Sequence, residues 1–389
     1  MQTRGGSFGS LEEGKEAINV RTLNQSTRPV PVRLLQFILL LLGLGIAFSF
    51  LSLYLSRSLS IPGTVFQSML LQPCVQESTT LATWIKPPSN LLHEMNDTEL
   101  FWRASHVPVI RHYPFERIPK IAFMFLTRGP LPMSPLWEKF FRGNEKLYSI
   151  YVHSSPSYYR PDFALSSVFY GRQVPNQVVE WGKMSMCDAE RRLLANALLD
   201  ISNEWFVLVS EACIPVQNFD TVYQYVSRSW LSFMGSYDDP GPYGRGRYDE
   251  NMTPEVNLTD WRKGSQWFEV NRKLAVNIVK DTVYYPKFEQ FCRPACYVDE
   301  HYFPTMLTIQ TPHLLANRSL TWVDWSRGGA HPATFGKRDI TDNFFKRILD
   351  GEPCTYNNDS TKLCYLFARK FAPGALDQLL EHSFDFLGF

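Results

Sequence analysis

Three groups of side chains in this sequence are placed where they could do chemistry. Asp299 and Glu300 form an acidic pair in YVDEHYFPTML, directly ahead of a helical stretch. Such a pair offers a proton acceptor whose basicity is raised by its neighbour's charge, or two capping groups that complement a helix dipole with Asp299 as N-cap. From the residue pattern alone, capping is the commoner role. Cations form the second group. Arg327 in SRGGAHP precedes Gly328 and Gly329, which let backbone amides approach an anion, and Arg369 and Lys370 lie in FARKF. These read as an anion site or as surface charges. The third group ends the apolar runs: Thr127 and Arg128 after KIAFMFL, His153 and Ser154 after LYSIYV, and Ser210 and Glu211 after WFVLV.

Those runs are short, continuous and apolar, which suits strands buried on both faces of a parallel sheet: Lys120 to Thr127, Leu147 to His153 and Trp205 to Ser210. Helical spacing falls between them, at Pro135 to Arg142 and Asp188 to Ile201, and again at Phe219 to Trp230, with a further strand expected at Trp230 to Tyr237. This alternation predicts an α/β fold with a mostly parallel central sheet covered by helices. In such sheets ligands gather at the carboxyl ends of strands, where the polar residues of the third group lie.

The 389 residues are 44% hydrophobic and 14% aromatic, enough for a sizeable core. A net charge of +1 gives no global field to steer the chain to nucleic acid or to an acidic polymer. Leu34 to Leu55 carries no charge, and its 22 residues would make a helix of about 33 Å, long enough to span a bilayer. Arg21, Arg28 and Arg33 precede it and only Arg57 follows closely, so the expected order is a cytosolic tail (1–33), a signal anchor (34–55), a lumenal stem (56–118) and a folded domain (119–389). The stem is rich in Ser, Pro and Thr, with one short helix expected at Asp97 to Ser105. Five N-x-[ST] triplets, at Asn96, Asn251, Asn257, Asn317 and Asn358, fall on the lumenal side. Seven cysteines without a CxxC pair or a His at zinc-ligand spacing favour disulfides. Cys354 and Cys364 flank a polar loop, Cys292 and Cys296 form a second local pair, and Cys187 and Cys213 are either a long-range pair or free thiols, Cys213 lying in an apolar run.

In order along the chain stand VEWGKM (179–184), WFVLVSEACIP (205–215), WRKGSQW (261–267), YVDEH (297–301), WSRGGAHPATF (325–335) and FARKF (367–371). This ordered set, from about Lys120 to Leu380, resembles glycosyltransferase family 14, the core-2/I-branching β-1,6-N-acetylglucosaminyltransferases, and in particular its plant-type branch. The resemblance implies a GT-A-like nucleotide-sugar-binding fold behind a single Golgi membrane anchor. It implies transfer with inversion, UDP-GlcNAc as donor, a glycan or glycoprotein acceptor, and activity without metal or other cofactor. No Asp-x-Asp motif occurs, and Asp238-Asp239, between Tyr237 and Pro240, reads as a turn.

By the same resemblance Glu300 is the catalytic base, and Lys370 matches the lysine that neutralises the departing diphosphate. Arg327 is the matching arginine, with Arg338 in reserve and His331 a further donor. Thr127, Arg128, His153, Trp181, Gly182, Glu211 and Trp267 are expected to hold the nucleotide or a sugar, Trp261 standing beside them. Animal members carry an acidic residue where this chain has His153, which leaves the grip on the base open. Two other functions compete: a membrane-anchored glycan-binding protein that keeps the fold without turnover, and a glycosidase, which needs two separated carboxylates.

Overall fold

The computed structural model describes residues 31–58, 81, 86–88, 90–110, 112–158, 163–293 and 296–389. Most of the expected tail, including Arg21 and Arg28, and residues 59–80 of the expected stem lie outside the described residues. The chain forms two units, divided after Ser78. The first contains α1, Val32–Ser58. Its segment Val32–Leu55 has a mean hydropathy of 2.5 with no part buried, and among the described residues it is the one helix long and apolar enough to cross a membrane.

In the second unit, β1 (Lys120–Leu126), β2 (Tyr148–His153) and β3 (Asn203–Ser210) are the three apolar runs, buried on both faces and mutually parallel. Leu126 is in register with both His153 and Ser210, so the three strands end level and the polar residues that follow emerge side by side. On one face, Phe123 and Phe125 of β1 meet Trp137, Phe140 and Phe141 of α3 (Ser134–Phe141) mostly edge to face. Against the sheet also packs α4 (Met184–Leu198), which starts earlier than its spacing suggests.

The rest of the central sheet is antiparallel. β5 (Phe233–Met234) and β6 (Phe268–Asn271) extend it in the order β2-β1-β3-β6-β5. The strand expected from Trp230 to Tyr237 thus shrinks to two residues, because only Phe233 and Met234 meet β6, while Tyr237 pairs instead with Lys263. A second sheet joins β4 (Cys213–Pro215), β10 (Phe367–Arg369) and β7 (Thr321–Val323), with β10 in the middle. The hairpin of β8 (Cys354–Tyr356) and β9 (Asp359–Thr361) turns at Asn357 and Asn358, both with positive φ, and the expected Cys354–Cys364 disulfide closes it. Cys292 and Cys296 are also bridged. Cys187 and Cys213 are free and buried, so the long-range pairing is not made.

The remaining helices include α5 (Phe219–Arg228), α6 (Arg272–Val279), α7 (Tyr285–Phe291) and α8 (Tyr302–Gln310). The expected short helix forms as α2, Asp97–Ser105. Asn96 and Glu99 close its first turn with reciprocal side-chain to backbone hydrogen bonds of 2.9 Å. Leu100 and Ala104 of α2 are buried, and Asp97 takes two hydrogen bonds, of 2.7 and 2.6 Å, from the buried Arg192 of α4. The folded body therefore extends upstream of Pro119, where the sequence reading starts it.

Removing the carboxylate with Asp97→Ala leaves the Arg192 guanidinium buried without its ionic partner. Since Asp97 is itself partly exposed, the expected loss is about 2 kcal/mol, below the range for a fully buried pair. Urea unfolding of the full chain measures it, and an unchanged midpoint would show that α2 is not held by this pair.

Candidate active site

A cleft of about 1390 Å³ opens at the level strand ends and is lined by residues of both sheets and of the loops between them. On one side Glu300 is set by contacts with WRKGSQW. Lys263 and Tyr237 exchange backbone hydrogen bonds of 2.9 Å, and the next amide, that of Gly264, donates to the Glu300 carbonyl at 2.8 Å. Only glycine fits there, since a Cβ on Gly264 would lie 2.0 Å from the Gly235 carbonyl oxygen. Tyr297 takes a left-handed conformation and starts the turn Val298–Glu300. Lys263 Nζ then donates to Glu300 Oε2 at 2.5 Å, with an Arg247 guanidinium nitrogen at 3.9 Å.

The expectation that Asp299 caps the following helix is corrected by this turn. The N-cap of α8 is His301 and no side chain caps it, because the turn directs Asp299 inward instead. Burial, and then the charge of Glu300, pushes the Asp299 carboxyl up to about 7. Lys263 and Arg247 were not singled out from sequence. The Lys-Gly pair inside WRKGSQW was the available signal for the first, and Arg247, in a Gly-rich loop, gave none.

A cationic group forms where β10 ends. The Lys370 carbonyl accepts from Phe335 N at 2.8 Å and Phe371 N donates to the Ala212 carbonyl at 2.9 Å, which fixes Lys370 beside the segment carrying Glu211. The Arg369 guanidinium lies 4.0 Å from the Trp267 ring centroid, a cation–π contact. Burial, and then the charge of Arg369, lowers the basicity of Lys370. Arg128, Arg369, Lys370 and Glu211 all line the cleft. Arg327 does not: it is exposed, outside the lining, 5.8 Å from the Phe335 ring, and Arg338 is also exposed. Gly329 and His331 of the same segment do reach the cleft.

The other expected residues divide between wall and core. The Thr127 hydroxyl bonds both the amide and the carbonyl of Gly129, holding the turn that presents Arg128. Trp181, half-exposed on the wall, packs against Tyr297 and His331 at 4.8 and 5.0 Å. Gly182 has φ +74°, and a Cβ there would press on the Tyr297 ring at 3.2 Å. Trp267 lines the cleft, but Trp261 is buried between Phe288 and His301 and belongs to the core. His153 is fully buried and absent from the lining. Its Nε2 lies 3.0 Å from Arg192, and burial followed by that charge pushes its pKa down to about 3, so it is a neutral acceptor that steadies Arg192. Asp238 is engaged by Arg245 at 2.7 and 2.6 Å, and Asp239 accepts from Gly241 N, as expected of a turn. The cleft thus combines a positioned carboxylate with a cluster of cations, a set that can accept a proton and stabilise an anion.

A family model described as Core-2/I-Branching enzyme matches residues 121–349, a span that includes Lys263 and Glu300 and stops before Lys370. Glycosyltransferase BC10 of Oryza sativa subsp. japonica is 38% identical over 313 residues, covering 68% of this chain and 76% of that protein.

Because the obstruction at Gly264 is backbone, Gly264→Ala must displace the strand segment that holds Glu300. The expected outcome is a loss of about 3 kcal/mol of stability and a fall in turnover of about 10²-fold from the misplaced carboxylate. Thermal melting and single-turnover kinetics read the two effects, and a variant equal to the parent in both would contradict the close approach.

Proposed function

The chain belongs to the core-2/I-branching enzyme family and is a glycosyltransferase, and from that premise we propose that it transfers N-acetylglucosamine from UDP-GlcNAc to a hydroxyl of a glycan or glycoprotein, with inversion and without a metal. The observation that carries this reading is the placement of Glu300 and the Arg369–Lys370 pair on one cleft. In a single displacement the acceptor hydroxyl gives its proton to Glu300. Its oxygen attacks the anomeric carbon from the face opposite the diphosphate, and the bond to UDP breaks with its electrons going to the leaving phosphate oxygen.

Lys263 orients the Glu300 carboxylate for that proton transfer. Lys370, with Arg369 and Arg128, takes the charge of the diphosphate, in the role a cation fills elsewhere. Arg327, exposed outside the cleft lining, is left out of this role. The exposed face of Trp181 offers an apolar surface to sugar C–H groups, and Glu211 accepts from sugar hydroxyls. Helix α1, with Arg33 in its first turn, supports a single-pass anchor whose following chain is lumenal, and two disulfides suit that oxidising side. We place the enzyme in the Golgi membrane on the same reading.

Glu300→Gln deletes the basic oxygen and keeps the shape, so transfer should fall by about 10² to 10⁴-fold while the affinity for UDP, measured by calorimetry, is nearly unchanged. Lys370→Ala should weaken UDP binding about tenfold or more as well as slowing transfer. A Glu300→Gln enzyme within about tenfold of the parent rate would remove Glu300 from the mechanism. Turnover, followed as UDP release from UDP-GlcNAc, should also survive EDTA; loss on chelation with recovery on manganese would show that cations of the protein do not suffice.

A further inference from the structure

Behind Glu300 lie two carboxylates with no cation assigned to them. Asp299, in the turn Val298–Glu300, is 5% exposed, and its Oδ1 is buried without a hydrogen-bond partner. Glu190, on α4, is fully buried; Gln266 Nε2 donates to its Oε1 at 2.8 Å, while Oε2 has no partner. The turn packs directly on α4, and burial, followed by the charge of Asp299, raises the proton affinity of Glu190.

The groups that face this pair have partners of their own, although Arg191 Nε and Arg369 Nε, like the two acid oxygens, are buried without a hydrogen-bond partner. On α4, Asp188 accepts from the Tyr285 hydroxyl, Arg191 donates to the Val279 and Asp281 carbonyls, and burial keeps the Cys187 thiol uncharged. From the 261–267 segment Lys263 pairs with Glu300, the remaining acid of the turn, and from β10 the Arg369 guanidinium stacks on Trp267. Two ionised carboxylates buried in such a place carry a large desolvation cost. A single proton between them lowers it by leaving one charge in place of two, and turns one oxygen into a donor that the other can accept from.

We propose that Glu190 is a positioning residue for sugar transfer, sharing one proton with Asp299 so that a carboxyl–carboxylate hydrogen bond ties α4 to the turn that carries Glu300. Helix α4 packs on β1, β2 and β3, so the bond sets the base relative to the strand ends that present Arg128 and Glu211. The kinetic consequence rests on the reading of Glu300 as base; the shared proton does not.

The sign of the pH dependence follows from the pair. Both carboxyls hold a proton more tightly than an ordinary carboxyl, Glu190 through burial and then the charge of Asp299, and Asp299 through burial and then the charge of Glu300. The stability tied to these protons is therefore whole at low pH and is lost as pH rises through the raised values of the pair. The full chain, purified in detergent, is melted between pH 4 and pH 8, and UDP release from UDP-GlcNAc is followed over the same range. Glu190→Gln keeps an N–H donor toward Asp299 and removes one acid. It should flatten the fall in melting temperature with pH and keep the rate within about threefold of the parent, losing less of it than the parent toward pH 8. Glu190→Ala should slow transfer by about 10²-fold with UDP affinity, read by calorimetry, unchanged. Should the Ala variant not fold, the Gln variant decides. A Gln variant that melts with the parent's pH slope, or that is as slow as Ala, overturns the proposal. Failure of the base reading shows elsewhere, in a fast Glu300→Gln enzyme, and leaves the pH slope of melting untouched.

Discussion

A buried acidic side chain ties the central sheet to the sheet of β4, β10 and β7, and the register of the cleft depends on that junction. Glu269 sits on β6 of the central sheet, fully buried, and accepts from Leu320 N at 3.0 Å and from the Thr321 hydroxyl at 3.2 Å, where β7 begins. Burial pushes its pKa up to about 8, a cost the fold bears at a place where an apolar side chain would make neither bond. Through β7 the junction fixes β10, and through β10 it fixes Arg369 and Lys370 against strand ends that belong to the other sheet. A carboxylate can do this because its two oxygens bind two successive groups on one strand and so set its register.

Around that junction the site is built from backbone more than from side chains. Glu300 is held by the amide of Gly264, Lys370 by its carbonyl, which accepts from Phe335 N, and by the next amide, Phe371 N, which donates to the Ala212 carbonyl, and Arg128 by a turn that closes on the Thr127 hydroxyl. Side-chain contacts then orient what the backbone has placed: Lys263 on Glu300, Trp267 under Arg369, Tyr297 against Trp181 and Arg247. In each of these pairs the two partners come from different segments, which is why the chemistry of the cleft needs the whole fold.

The legible part of this protein was what local sequence decides. Strands β1 to β3 announce themselves as apolar runs because both faces are buried, and α2 carries its start signal in Asn96 and Glu99. Strands β5, β7 and β10 have two or three residues each, too few for a period, and exist because distant segments pair with them. The same distinction separates the expected residues that line the cleft from those that lie in the core. Lys370 and Glu300 line the cleft, and so does Trp181, whereas Trp261 and His153 are buried, a difference of surroundings that residue type cannot express. That Arg369 lines the cleft and Arg327 does not follows from the course of the backbone after β7 and β10. The family motifs named segments that reach the cleft, and within each segment tertiary packing decided which side chain faces it.

The docking of α2 also bears on where the chain can be cut without loss of its core. Leu91, Leu100 and Ala104 belong to the common hydrophobic core, and Asp97 completes the surroundings of a buried arginine. A protease that cut the chain between residue 91 and Pro119 would detach part of that core rather than trim a tether. Release of an intact folded body from a chain anchored through α1 would therefore require a cleavage site upstream of Leu91.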